Sequence, residues 1–458
     1  MTGQRNPVRE RRIDRLTIWD TDRGRNTWIL PATAVLMYVS MVVGAVLAST
    51  DGHWLPAGVH HSLALIGGIA LTFSLFESIR RSDARIVLYS LTLAALLYPV
   101  QAVIGLWVWI GDPLWIGELH LLLSMALFGT VLYGLIWQLN EEETDAPADS
   151  MGGHIESTHP TPNRGDRFRI RRTIGAYLTL MKPRLMWLLS LLAIAGISLA
   201  VIAGATLDGI TLIATLAGGI CAIGASGTFN HVYERDRDRR MARTADRPVA
   251  TTNVSPVRAV MFGIGLAAIG LGILWIGTTP LAVGLTALAI VYYAVIYTVI
   301  LKPTTTWNIA IGGGAGAIPA LIGWAAVTGD IGLPALVLAG VVVIWTPAHF
   351  YNLAIVYRSD YAAGGYPMLP IVKGTALTRR RIGYSLAGAC VGAAFLGLVA
   401  GLGPVFFLAI GVGGVIFLSS YIDQLIRRTG QRTYRTFHAS NLFLAFVLLG
   451  IVTEGAML

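Results

Sequence analysis

The stretch from Asn230 to Pro248 reads NHVYERDRDRRMARTADRP, and ten of the seventeen residues from His231 to Arg247 are charged, four acids and six arginines. An α-helix turns ~100° per residue, so Asn230, Glu234 and Asp238 share one face within about 80° and Asp236 points elsewhere. One amide and two carboxylates at this spacing suit a hard cation such as Mg²⁺, which takes oxygen ligands and bridges a few carboxylates to substrate phosphates. Without a cation between them the carboxylates would repel one another. The arginines can take up the remaining phosphate charge. A solvated loop of mutually paired charges is the alternative reading.

A second set lies in HFYNLAIVYRSDYAAGGYPMLPIVKG, from His349 to Gly374. By the same rotation His349, Asn352 and Asp360 share a helix face. Polar residues inside an apolar span are costly and mark functional sites; a hydrogen-bonded structural His349 is the alternative. Two acidic helix ends on one side of a bundle could hold two metal ions around one diphosphate.

The elements that must position these groups are membrane helices. The chain has 458 residues, is 55% hydrophobic and only 13% charged, with mean hydropathy +0.65, which places it in the polytopic all-α membrane class. About 20 mostly apolar residues make a span, and roughly thirteen are expected, near 28–49, 61–79, 86–110, 116–138, 186–204, 210–230, 257–276, 281–301, 308–327, 332–356, 383–401, 404–424 and 436–457. With the N-terminus inside, nearly all Arg and Lys fall in cytoplasmic segments, including 231–256 and 357–382, and the opposite loops, such as Asp51-Gly52-His53 and Gly111-Asp112-Pro113, are short and neutral or acidic. The positive-inside rule supports both count and orientation, and a multi-pass plasma-membrane protein is expected. The net charge of +9 then belongs to loops facing anionic lipid, not to a nucleic-acid site. Cys221 and Cys390 lie in apolar runs and form no metal-binding spacing. The glycine run Gly312–Gly316 is inside a span, where small residues permit close helix crossing. The organisation expected is a basic tail (1–27), a four-helix block (28–140), a polar linker (141–170) and a nine-helix block (171–458).

The stretch Asn230–Pro248 resembles the first aspartate-rich motif of the UbiA-type intramembrane prenyltransferases. With YLTLMKPRLMWLL at Tyr177–Leu189, YTVILKPTTTWNIAIGGGAGAIPALIGWAA at Tyr297–Ala326 and PAHFYNLAIVYRSDYAAGGYPMLPIVKG at Pro347–Gly374, it is most similar to that superfamily's haem-farnesylating branch. The resemblance implies a UbiA-type bundle that transfers a farnesyl group from farnesyl diphosphate to a vinyl group of haem B, giving haem O. It also implies Mg²⁺ on Asn230, Glu234 and Asp238, with Asp236 as an additional ligand and Asp360 holding a second ion. Lys182, Arg184, Arg243, Arg247, Lys302 and Arg358 would contact diphosphate or haem propionate, and His349, Tyr351 and Asn352 would position substrate. Two departures stand out: Glu234 replaces the family's usual Asp, and Pro303 the usual basic residue after Lys302. A quinone or lipid prenyltransferase, a transporter with polar sites at helix breaks and a non-catalytic haem-binding assembly factor are the competing readings.

In the first block, His60 and His61 open the second span and His120 opens the fourth. Two imidazoles from facing helices at one depth can ligate a haem iron axially. The block resembles one half of the haem A synthase family, whose HRxxA pattern falls on His60-His61-Ser62-Leu63-Ala64 with His61 where Arg is usual. That resemblance implies a bound haem b with His60, His61 and His120 as candidate ligands, His60 being the one on the pattern's ligand position, and haem A synthase or terminal-oxidase assembly factors as partners.

Overall fold

A backbone in lipid must close its hydrogen bonds within itself, so long uncharged apolar runs become helices. The structure is a computed structural model that describes residues 28–50, 56–111, 114–140 and 166–458. Thirteen helices among the described residues are long and apolar enough to cross a membrane. They are α1 (Ile29–Ala48), α2 (Ala57–Arg81), α3 (Arg85–Ile110), α4 (Leu114–Asn140), α6 (Pro183–Ile202), α7 (Gly209–Asp238), α8 (Pro256–Gly277), α9 (Pro280–Thr304), α10 (Asn308–Thr328), α11 (Leu333–Val356), α14 (Thr375–Ala400), α15 (Pro404–Arg427) and α16 (Gly430–Ala456). Three shorter helices, α5 (Asp166–Leu180), α12 (Arg358–Ala363) and α13 (Leu369–Val372), lie in the connections. Prolines open α6, α8, α9 and α15 at positions where the missing N–H costs nothing. The expected tail, most of the linker and the loops at 51–53 and 112–113 lie outside the described residues.

Two expectations need correction. Residues 166–170, taken as linker, already belong to helix α5. The helix carrying His349 ends at Val356, and Tyr357 leaves helical geometry (φ −103°, ψ 32°) before α12 restarts at Arg358. The single helix face projected from His349 to Asp360 is therefore broken.

Helices α1 to α4 pack as a four-membered ring, α1 against α2 and α4, and α3 against α2 and α4. This block shares one continuous apolar core with the rest of the chain. Tyr38 on α1 donates to the buried carbonyl of Ile410 on α15 at 2.7 Å, and its ring fills the space left by Gly414. Ile136 on α4 sits against Gly383 of α14. Arg380 lies 4.0 Å over the Trp137 ring, and Arg428 donates to the carbonyl of Leu139 at 2.9 Å. Within the larger bundle, Gly196 of α6 and Gly323 of α10 each leave room only for the facing backbone carbonyl, Ala320 and Ala193 respectively. The glycine run serves as expected: Gly312 and Gly314 accept the rings of Tyr297 and Tyr292, and Gly313 accepts Thr346.

Candidate active site

Helix α7 continues past its apolar stretch as one uninterrupted helix, and that continuity assembles the site. Asn230, Glu234 and Asp238 project from one face and are 1%, 2% and 2% exposed. Asp236 is not with them. It points to solvent and pairs with Arg239 at 3.1 Å and Arg235 at 3.6 Å, as the ~100° step requires.

Each buried group on this face meets a cation. The Asn230 amide oxygen accepts from Lys182, whose ammonium also donates to the Tyr293 hydroxyl at 3.1 Å. The Asn230 amide nitrogen donates to Thr298 Oγ1 at 3.1 Å. Glu234 accepts from Lys302 and lies 3.5 Å from Arg247. Both oxygens of Asp238 accept from Arg247 Nη1 at 2.9 Å. Burial works against the charge on Arg247, yet the Asp238 carboxylate more than offsets it and raises its pKa. Three cations thus face two carboxylates, an excess positive charge in a place sheltered from water.

The cations come from three directions. Lys182 stands before Pro183 in a left-handed conformation (φ 55°), a strained state for a non-glycine residue that surrounding contacts must hold. Arg247 returns from the loop after α7. Lys302 follows a π-helical segment of α9, Tyr292–Leu301, in which Thr298 Oγ1 donates to the carbonyl of Tyr293 five residues back at 2.8 Å. The wider turn brings Tyr293, Thr298 and Lys302 to one side, and such segments recur at functional sites.

Asp360 meets the first motif in a different way from that expected. Its two oxygens accept the backbone N–H groups of Ala242 and Arg243 at 3.0 and 3.1 Å. It braces the turn after α7 and does not join Glu234 and Asp238. Arg243 lies over the rings of Tyr357 and Tyr361 at 5.0 and 5.8 Å, so the two motif loops interlock. Arg358 opens α12 in the same loop, and Arg184 sits exposed at the start of α6. His349 is held elsewhere, stacked between Trp345 and Phe437 at 4.5 and 4.3 Å with Nδ1 2.8 Å from Ser440 Oγ. Tyr351 is buried, and Asn352 donates to the Ala348 carbonyl at 2.7 Å. These contacts make His349 a packing residue of α11 against α16.

Besides Tyr293 and Thr298, two further residues of the site escaped the sequence reading. Tyr366, between α12 and α13, is 2% exposed, and its hydroxyl is buried with no hydrogen-bond partner. Lys302 and Arg237 lie over its ring at 4.7 and 5.1 Å. Burial pushes its pKa up to about 12, so the phenol keeps its proton and can donate. His231, beside Asn230, is likewise buried with Nδ1 unpartnered. Neither stands in a periodic pattern that would single it out.

From Lys182 and Tyr293 an apolar cavity runs down between α6, α7, α9 and α10, past Leu189, Ala222 and Ile290, to Ala193, Thr215 and Thr286. A charged mouth with an apolar shaft beneath it accommodates an amphipathic anion whose long tail is hydrocarbon.

Comparison with known proteins gives the same picture. The UbiA prenyltransferase family model matches residues 189–447. A protoheme IX farnesyltransferase of Natronomonas pharaonis is 49% identical over 438 residues, covering 94% of this chain and 99% of that protein. The chain belongs to the protoheme IX farnesyltransferases of the UbiA family. Another member, from Frankia alni, is 40% identical over 62% of this chain and 99% of its own length, so this chain carries a large addition relative to that farnesyltransferase. A solved digeranylgeranylglyceryl phosphate synthase shares the fold, with a TM-score of 0.52 at 14% identity over 63% of this chain and 100% of that one.

Proposed function

We propose that this membrane farnesyltransferase moves the farnesyl group of farnesyl diphosphate onto a vinyl group of haem B at the α7 cluster, giving haem O and diphosphate. The observation that carries the siting is the buried row Asn230, Glu234 and Asp238 facing Lys182, Lys302 and Arg247 at the mouth of an apolar shaft.

The donor set fits Mg²⁺. Among the described residues no three His, Cys, Asp or Glu side chains form a closed cage, and Mg²⁺ asks for none, because it keeps waters and takes one or two carboxylates together with substrate phosphates. Asn230, Glu234 and Asp238 would hold it, and when bound it supplies Lewis-acid neutralisation of the leaving group. Lys182, Arg247 and Lys302 exchange their carboxylate and amide partners for phosphate oxygens and stabilise the anion as the allylic C–O bond breaks. Arg243, Arg358 and Arg184 at the rim serve the propionates. Tyr366 donates its unpartnered hydroxyl to the diphosphate. The farnesyl tail lies in the shaft, which keeps water from the allylic cation. The vinyl π-bond attacks that cation, water adds to the carbocation left on the porphyrin side chain, and loss of a proton completes the hydroxyethyl product.

The reading extends to the whole chain. Residues 171–458 form the transferase unit and 28–140 an added four-helix unit, supported by the start of the family match at 189 and by the shorter Frankia relative. We read the catalytic end as cytoplasmic and the membrane as the plasma membrane; the arginine clusters at that end, among them Arg379–Arg381, support the orientation. Enzymes that consume haem O, haem A synthase among them, and terminal-oxidase assembly factors are the natural partners. The test incubates membranes holding this protein with haem B, farnesyl diphosphate and Mg²⁺, and identifies pigments by mass. Haem O is expected from the wild type, falling about 10²–10³-fold with Asp238→Asn. Equal haem O from both would remove the cluster from catalysis.

A further inference from the structure

Aliphatic and small polar side chains wall the shaft below the charged cluster, and among the described residues that line it Tyr293 is the one aromatic. It stands on α9 at the junction of two chemistries. On its deep side Ile290, Ala289 and Thr286 line the shaft. On its outer side Thr298 and Lys302 meet the Asn230 amide and the Glu234 carboxylate. Tyr293 and Thr298 are five residues apart, which in a regular α-helix sets side chains about 140° from each other. The π-helical segment Tyr292–Leu301 closes over five residues, with Thr298 Oγ1 donating to the Tyr293 carbonyl at 2.8 Å, and so narrows that angle.

Contacts on two sides fix the ring. Its hydroxyl accepts from the Lys182 ammonium at 3.1 Å. Tyr297, seated over Gly312, packs against it with centroids 5.6 Å apart. The ring already meets a cation, since Lys182 Nζ lies over it at 5.4 Å from the centroid. It stays only half-buried, with the shaft beside it.

We infer, on the farnesyl-transfer reading above, that the ring of Tyr293 stabilises the allylic cation of the farnesyl group as the diphosphate leaves. A substrate with its diphosphate among Lys182, Arg247 and Lys302 and its hydrocarbon in the shaft has its first carbon where the two regions meet, and Tyr293 stands there. When the C–O bond breaks, its electron pair leaves on the diphosphate oxygen and positive charge spreads over the allyl carbons. When the vinyl π-pair of haem bonds to the first carbon, that charge passes to the porphyrin side chain. Between the two events the cation needs a partner that does not capture it. A carboxylate oxygen would form a bond to it. The negative face of an aromatic ring attracts a cation within about 6 Å of the centroid and forms none. Phosphate oxygens draw Lys182 off the ring, which frees that face as the charge develops.

The test installs phenylalanine bearing no, one, two or three ring fluorines at position 293 of the full-length protein in membranes. It follows haem O formation from haem B, farnesyl diphosphate and Mg²⁺ in a single turnover, which separates bond breaking from product release. Fluorine withdraws charge from the ring face and hardly changes its size. The single-turnover rate is expected to fall stepwise with fluorine count while the affinity for farnesyl diphosphate stays constant, the mark of an interaction made only in the transition state. Tyr293→Leu keeps apolar bulk without a π-face, and its rate should lie about 10–30-fold below that of Tyr293→Phe. Inhibition by inorganic diphosphate at one concentration throughout shows the anion site whole; if Tyr293→Leu fails that check, the fluorine series alone decides. A rate indifferent to fluorine count, or a Tyr293→Phe protein without activity, overturns the inference, the residue then acting by packing or through its hydroxyl. Wild-type protein that makes no haem O removes the farnesyl-transfer reading and this inference with it, whereas an active wild type with a flat fluorine series leaves that reading standing.

Discussion

At the scale of single residues, the site is a set of buried charges that depend on one another. Lys302→Met leaves the Glu234 carboxylate with Arg247 alone, at 3.5 Å, and loss of one partner of a buried pair costs up to about 3–5 kcal/mol. The double variant Lys302→Met, Glu234→Leu should recover most of that stability, measured by thermal unfolding in detergent, and none of the haem O synthesis. A double variant as unstable as the single one would mean that the pair is not the source of the loss. Tyr366→Phe keeps the ring on which Lys302 and Arg237 rest and removes only the hydroxyl. A hydrogen bond to a charged group is worth about 1.5–3 kcal/mol, so kcat/KM for farnesyl diphosphate should fall roughly 10–100-fold. Inhibition by inorganic diphosphate should weaken in parallel, with unfolding unchanged. Because the phenol ionises only near 12, no step due to Tyr366 should enter the activity profile below about pH 10.

At the scale of elements, the shaft predicts how long a tail the enzyme accepts. Among the residues of α7 that line it, Thr215 stands furthest along the helix from Asn230. Thr215→Leu should shift preference from farnesyl to geranyl diphosphate in a competition assay read by product mass; an unchanged ratio would mean that the tail does not run there. The elements also show what the sequence made legible. Hydropathy alone gave thirteen spans, though the helices Gly209–Asp238, Thr375–Ala400 and Gly430–Ala456 run well beyond the expected ones at their charged ends, and the ~100° step put Asn230, Glu234 and Asp238 together and Asp236 apart. The same rule misplaced Asp360, because the helix breaks at Tyr357 with neither proline nor glycine there to announce it. The π-helical segment of α9 was equally silent, since its residues are ordinary β-branched, apolar and aromatic ones. Tyr366 and the cation assigned to each carboxylate depend on contacts between distant segments, which local periodicity does not encode.

At the scale of the molecule, the four-helix block is keyed into the transferase and not merely tethered to it. Tyr38→Phe removes the hydrogen bond that the hydroxyl adds to the Ile410 carbonyl, which keeps its helical partner, and should cost about 0.5–1.5 kcal/mol, visible as a lower unfolding temperature of the whole protein. Separate melting of two units, with only one affected, would show the blocks to be independent. The catalytic end carries a different consequence for the enzyme as a machine. In the proposed cycle, three sheltered cations that grip a diphosphate while its bond to carbon breaks hold it as firmly once it is free. Their anionic and amide partners in the structure are Glu234, Asp238 and Asn230, the groups they would have let go. In that proposed cycle, re-forming those links ejects the spent anion, so the carboxylates that gather the reactant would also reset the enzyme, and its pace would be governed by how readily it lets go.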